Sequence, residues 1–148
     1  MKTTPKVISI TTKQHSNLDL LSSFYSQGEE IKYLASILTY QNRKIQVVVS
    51  NSKVELVAIR NIVYLKSSSN YCQLHLKNGR VLTTSKTLKY WCEIISDEYF
   101  LRCHNSFCVN KTFIESYNSN ESILEMKGKI SVPVSRNVKG EILRLIMY

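Results

Sequence analysis

After residue 44 the chain alternates polar and apolar positions in short runs. In "YCQLHLK", Cys72, Leu74 and Leu76 fall on one side and Gln73, His75 and Lys77 on the other, which is the pattern of a strand with one wet face. Asn78-Gly79 then predicts a type I′ hairpin turn into "RVLTT". "IQVVV", "KVELVAI" and "IVYLK" before it, and "FIESYN", "SILEM" and "KISVPVS" after it, read the same way. In the last of these Ile130, Val132 and Val134 point inward, and Pro133, which cannot donate to a ladder, predicts an edge strand. "LRCHNSFCVNK", Leu101 to Lys111, reads as two short strands broken at a polar corner of His104, Asn105 and Ser106.

Three segments follow the helical period instead. Ile31, Leu34 and Leu38, with Ile37 beside them, predict an amphipathic helix over roughly Glu29 to Gln41, with Glu29 and Glu30 at its positive end and Arg43 and Lys44 at its negative end. "SKTLKYWCEII" puts Leu88, Trp91, Cys92 and Ile95 on one face, with Ser85 as the expected cap. "SRNVKGEILRLIMY" does the same with Val138, Ile142, Leu145 and Ile146, capped by Ser135. The first dozen residues show weak periodicity and are expected to form a loose tail. The predicted fold class is therefore mainly β with short helices and an N-terminal helical extension, divided into residues 1–42 and a domain over residues 43–148.

Composition sharpens this picture. With 148 residues, 43% of them hydrophobic and 21% charged, the chain suits one ordinary domain with a short appendage. No apolar run approaches the roughly 20 residues needed to cross a bilayer, and "MKTTPKVISITTK" lacks a signal peptide's apolar stretch, so a cytoplasmic protein without membrane association is expected. The net charge is +9, nearly all of it on the domain: residues 1–40 contribute +1 and residues 41–148 contribute +8. A basic excess of that kind attracts polyanions, nucleic acid above all.

An enzyme reading would begin at Cys103 and His104, but neighbours on a strand point to opposite faces, so that thiol and imidazole diverge. His15, His75 and His104 lack metal-ligand spacing with Cys72, Cys92, Cys103 and Cys108, and the cysteines form no C-x-x-C pair. The expectation is no catalytic residue, no metal and no cofactor, with reduced and mostly buried thiols.

The polar corners say more. "SSSNY" (67–71), "HNS" (104–106) and "SRN" (135–137) all interrupt or end strands. Arg can donate a bidentate pair to guanine, Asn can donate and accept at adenine, and Ser hydroxyls can bind phosphates. The start of the last helix would add free amide groups beside Arg136. Ordinary turn chemistry is the competing reading, since Ser and Asn favour turns.

From about Arg43 onward the chain resembles the LytTR family, the bacterial DNA-binding domain usually found behind a receiver domain in transcriptional response regulators. "IVYLKSSSNYCQLHLKNGRVLTTSKTLK", "YFLRCHNSFCVNKTFIES" and "KISVPVSRNVK" carry the resemblance in order, spacing and strand context. It implies an elongated arrangement of small antiparallel sheets whose loops enter successive major grooves. On that basis Asn70, Asn105 and Arg136 are the expected base-contacting residues, and Ser106, Asn137 and Lys139 the backbone contacts. His104 and Asn110 are expected to brace the corner through hydrogen bonds. Many members carry a basic residue where this chain has Asn105, and the Asn70 position varies between histidine and asparagine, so the family does not transfer a base sequence.

Residues 1–42 are too short for a receiver and hold one Asp, Asp19, outside any strand-end acidic cluster, so phosphorylation by a partner kinase is not expected. The expected function is transcriptional regulation by sequence-specific binding of duplex DNA, with two copies on paired direct repeats. The apolar stripe on the Glu29 to Gln41 helix would either join two copies as a homodimer or pack on its own domain. The rival from another class is an interaction module that has lost DNA binding and sequesters a related regulator. RNA binding is disfavoured because no exposed aromatic platform is evident.

Overall fold

The computed structural model describes residues 27–95 and 98–147, so the expected N-terminal tail, His15 and Asp19 lie outside the described residues. Among the described residues ten strands and three helices follow one another: α1 (Gln27–Asn42), β1 (Lys44–Ser50), β2 (Lys53–Ala58), β3 (Ile62–Ser68), β4 (Tyr71–Leu76), β5 (Val81–Thr84), α2 (Leu88–Ile94), β6 (Phe100–His104), β7 (Phe107–Asn110), β8 (Ile114–Asn118), β9 (Ile123–Met126), β10 (Ile130–Pro133) and α3 (Lys139–Met147). Single 3-10 turns precede β3, β8 and α3. The chain divides into two compact units, residues 1–40 and 41–148.

In the first unit α1 begins two residues earlier than its apolar spacing predicts and carries Glu29 and Glu30 in its first turn. Lys32 pairs with Glu29 at 3.3 Å one turn away, and Ile31, Leu34 and Leu38 are exposed. The Arg43 guanidinium, just beyond α1, donates to the Ile94 carbonyl at the end of α2.

The second unit holds three antiparallel sheets: the hairpin β1-β2, the five-stranded sheet β5-β4-β3-β7-β6, and the three-stranded sheet β10-β9-β8. Pro133 does lie on an edge strand, where its missing N–H costs nothing. The register follows the alternation. Leu65 pairs with Leu74 and Cys108, and Leu74 with Leu82, so all four share one buried face. On β1 and β2, Ile45, Val47 and Val57 are buried while Val48, Val54 and Leu56 are exposed. Arg80, just before β5, ties that hairpin to the main sheet with two 2.9 Å bonds to the Glu55 carboxylate. Bonding from Lys53 and Arg80 holds Glu55 below the usual carboxylate range.

Val63, Leu101, Cys103 and Val109 from the five-stranded sheet, Leu124, Met126, Val132 and Val134 from around the three-stranded sheet, and Ile142 from α3 make one continuous core. α2 buries Leu88, Trp91 and Ile95, as its period predicts.

Three local details differ from the sequence reading. The β4–β5 connection is not a type I′ turn, because Gly79 has φ of +84° and Asn78 is not left-handed. Gly79 N–H donates to the Leu76 carbonyl and Leu76 N–H to the Arg80 carbonyl, which makes a three-residue loop with glycine at its left-handed position. Asn78 instead turns its side chain to the Arg80 amide at 3.0 Å. The cap of α2 is Thr87, whose hydroxyl accepts from the Tyr90 amide at 3.1 Å, rather than Ser85. Ser135 makes no side-chain cap, because a 3-10 turn over Arg136–Val138 comes before α3.

Candidate nucleic-acid interface

The β6–β7 corner is a two-residue loop, Asn105–Ser106, closed by the pair His104 and Phe107. Four bonds hold it. The Ser106 amide donates to His104 Nδ1 at 3.1 Å, so the imidazole is tied to the turn it precedes. The Arg102 guanidinium donates to the Asn105 carbonyl at 3.0 Å. The Ser67 amide donates to the Ser106 carbonyl at 2.9 Å, joining the corner to β3. The Ser135 amide donates to the Cys103 carbonyl at 2.8 Å, drawing the end of β10 against β6. The Asn105 side chain is left exposed at the tip.

That last bond brings together residues some thirty positions apart. Arg102, His104, Asn105, Ser135, Asn137 and Val138 line a single shallow polar depression. Arg136, Asn137 and Lys139 are all exposed beside it. The Asn70 corner reaches the same end of the sheet by register: Ser67 bonds to Ser106 and Ser68 pairs with Tyr71, so the Ser69–Asn70 loop projects just past Ser106. Ser69 takes φ of +54° there, a left-handed conformation that costs a non-glycine residue about 1–3 kcal/mol, and Asn70 is exposed.

Asn110 sits elsewhere. It is fully buried at the far end of β7, where Nδ2 donates to the Ile62 carbonyl at 2.9 Å and Oδ1 accepts from the Thr112 amide at 3.1 Å and hydroxyl at 2.8 Å. Its bonds join β7 to the start of β3 rather than to the corner.

The charges fall unevenly. Lys53 and Arg80 both pair with the single Glu55 carboxylate, which offsets one of their two charges. Lys66, Arg102, Arg136 and Lys139 are exposed and make no ion pair among the described residues. Lys66 lies over the Phe107 ring at 5.8 Å, immediately behind the corner. Sequence reasoning missed Lys66 and Arg102. Arg102 could have been flagged as a cation at an outward strand position three residues before Asn105, but its bond to the turn depends on how the strand bends.

Cys103 and His104 do not form a nucleophile and base. The Cys103 thiol donates to the Phe107 carbonyl at 3.8 Å, and burial pushes it up to about 12. His104 Nδ1 is occupied by the Ser106 amide. Among the described residues no three potential metal ligands cluster, and no helix is long and apolar enough to cross a membrane.

Residues 52–147 match the family model of the LytTr DNA-binding domain. The transcriptional regulatory protein YpdB of Escherichia coli K12 is 26% identical over 133 residues, covering 87% of this chain and 54% of that protein. Accessory gene regulator protein A of Staphylococcus aureus is 40% identical over 82 residues, covering 53% of this chain and 33% of that protein. The chain thus spans about half the length of the first relative and a third of the second. Among solved structures, the LytTr DNA-binding domain of a methyl-accepting/DNA response regulator from Bacillus cereus superposes with a TM-score of 0.59 at 21% identity, over 71% of this chain and 97% of that one, which is a likeness of fold. With its antiparallel sheets, its braced corner and a match over most of its length, this chain belongs to the LytTR family of DNA-binding domains.

Proposed function

We propose that this protein binds duplex DNA sequence-specifically and regulates transcription, its polar corners entering the major groove. Asn105 and Arg136 read base edges from adjoining tips, and Asn70 reads from the neighbouring loop. Ser106, Asn137 and Lys139 bind phosphates, joined by Lys66 and Arg102. His104 holds the turn that presents Asn105, while Asn110 fixes the sheet behind it. The observation that carries this reading is the gathering of exposed Asn and Arg tips, with cations that form no ion pair among the described residues, at one end of a hydrogen-bonded sheet. Rigid tips lose little entropy on binding, and unpaired cations exchange counterions for phosphates.

Two copies on paired direct repeats, joined through the exposed stripe of Ile31, Leu34 and Leu38, extend the same proposal. The rival, an interaction module without DNA affinity, draws on the exposed row of Val48, Val54 and Leu56. Salt separates them. With roughly six to eight phosphate contacts, log affinity for duplex DNA should fall against log salt with a slope of roughly −5 to −7. Absent or salt-insensitive binding by the purified chain refutes the DNA reading.

A further inference from the structure

The two strands that carry the Asn70 corner at one end border a cleft at the other. Ser68 pairs with Tyr71 beside the corner, and Ile62 pairs with Leu76 at the far end of β3 and β4. There the β4–β5 loop of the five-stranded sheet and the β9–β10 turn of the three-stranded sheet form two walls of a cleft of about 330 Å³. Buried Val63 and Leu76, with half-buried Phe113 and Ile130, give it an apolar lining. Both walls are fixed by backbone bonds: the Lys77 amide donates to the Asn61 carbonyl and the Lys127 amide to the Phe113 carbonyl, each at 2.8 Å.

Lys77 and Lys127 bring a cation to each wall, and no carboxylate lines the cleft. Both lysines are exposed, and neither forms an ion pair among the described residues. Lys127 Nζ lies 6.0 Å from the centre of the Phe113 ring, so its charge stands beside the apolar lining. Gly79 and Gly128, with φ of +84° and +88°, complete the rim. A Cβ at Gly79 would meet nothing within 4 Å, and one at Gly128 only the Ile130 side chain at 3.8 Å, so the mouth is open at both.

An apolar lining with a few polar groups at its edge is the make-up of a small-molecule site, and the volume falls at the low end of the roughly 300–1,000 Å³ such sites occupy. The lining favours an apolar body that leaves water, and two unpaired ammonium groups favour a negative charge at the rim. We propose that this cleft binds a small aromatic monocarboxylate, its ring on Val63, Phe113 and Ile130 and its carboxylate toward Lys77 and Lys127. The ligand bridges the two sheets at the end remote from the reading tips. None of the residues assigned to DNA recognition takes part, so the site stands apart from the function proposed above.

The test is to titrate 2-naphthoate into the full ¹⁵N-labelled chain and follow the backbone amides by NMR. The expected result is a saturable set of shifts centred on Lys77, Gly79, Lys127 and Gly128. 2-Naphthamide, the same ring system without the charge, should cause the same pattern but bind about fivefold more weakly, since exposed charge pairs each contribute little. The double variant K77Q/K127Q changes two exposed side chains and should fold as the parent does. It should bind naphthoate only as well as naphthamide, with naphthamide affinity unchanged. Absent or unsaturable shifts overturn the proposal, as do shifts centred on the depression beside Asn105. Equal affinities of the parent chain for acid and amide overturn it too, and so does naphthoate affinity that the double variant retains in full.

Discussion

Asn110→Ala offers a direct test of how the β3–β7 junction is held. The substitution removes a donor to the Ile62 carbonyl and an acceptor for the Thr112 amide and hydroxyl, at a position with no solvent exposure. Alanine is too short to replace either bond. The hydroxyl can turn to another partner, whereas the carbonyl and amide are fixed. Stranding the buried Ile62 carbonyl costs about 1–3 kcal/mol, whereas Thr112 is exposed and its amide can bond to water, so the expected loss is about 1–3 kcal/mol. That lies within the ordinary range for a destabilising single substitution. The chain's single Trp91 is 2% exposed and reports unfolding by fluorescence. In urea the midpoint should fall with an unchanged slope. Asn105→Ala, at an exposed tip, serves as the control and should leave the midpoint in place. A loss below about 0.5 kcal/mol for Asn110→Ala would mean that water reaches these groups, and the bracing argument would fail.

The corner itself gives a contrasting pair. His104→Ala removes the acceptor for the half-buried Ser106 amide and should cost roughly 1 kcal/mol of stability while weakening all duplex DNA alike, whereas Asn105→Ala should relax discrimination at one base position in a binding-site selection. Identical profiles for the two variants would refute the division of roles. Burial, with Lys66 nearby, lowers His75 from its ordinary 6.5, so the fold favours the neutral ring. Its contribution is fully present above pH 6.5 and is lost as pH falls from there through the folded-state value. His75→Phe keeps a ring for the 4.1 Å stack on Tyr64 and should flatten that acid limb in urea titrations, and an identical limb would contradict the assignment. Arg102→Gln should loosen the corner at the Asn105 carbonyl and remove a cation, lowering the salt slope by roughly one, which fluorescence anisotropy reads directly; an unchanged slope would show that Arg102 touches no phosphate.

What the sequence made legible follows from how far each signal acts. Period-two alternation located Cys72, Leu74 and Leu76 because facing outward or inward is set residue by residue. Trp91 and Ile95 announced the buried face of α2 for the same reason. Local hydrogen bonding was harder to read. Ser85, Thr87 and Ser135 are all competent caps, and only the backbone path selects Thr87. Asn78-Gly79 favours a type I′ turn in isolation, yet the pairing of Leu76 with Arg80 imposes a wider loop. Long-range bonds were not legible at all. Nothing near Ser135 tells that its amide meets the Cys103 carbonyl, nor anything near Asn110 that its amide side chain meets Ile62. The site residues could be named from their chemistry and family pattern, but that His104, Asn105 and Asn137 line one depression required the fold.

The central claim is that the Asn105 and Arg136 tips read DNA sequence. The decisive measurement is selection of bound duplexes from a random library, followed by anisotropy titrations of the parent chain and Arg136→Ala on the selected site and on a scrambled duplex. The account predicts an enriched motif and a loss of about 1–3 kcal/mol for Arg136→Ala on that motif, with a smaller loss on scrambled DNA. No enriched motif, or an equal loss on both duplexes, would contradict it.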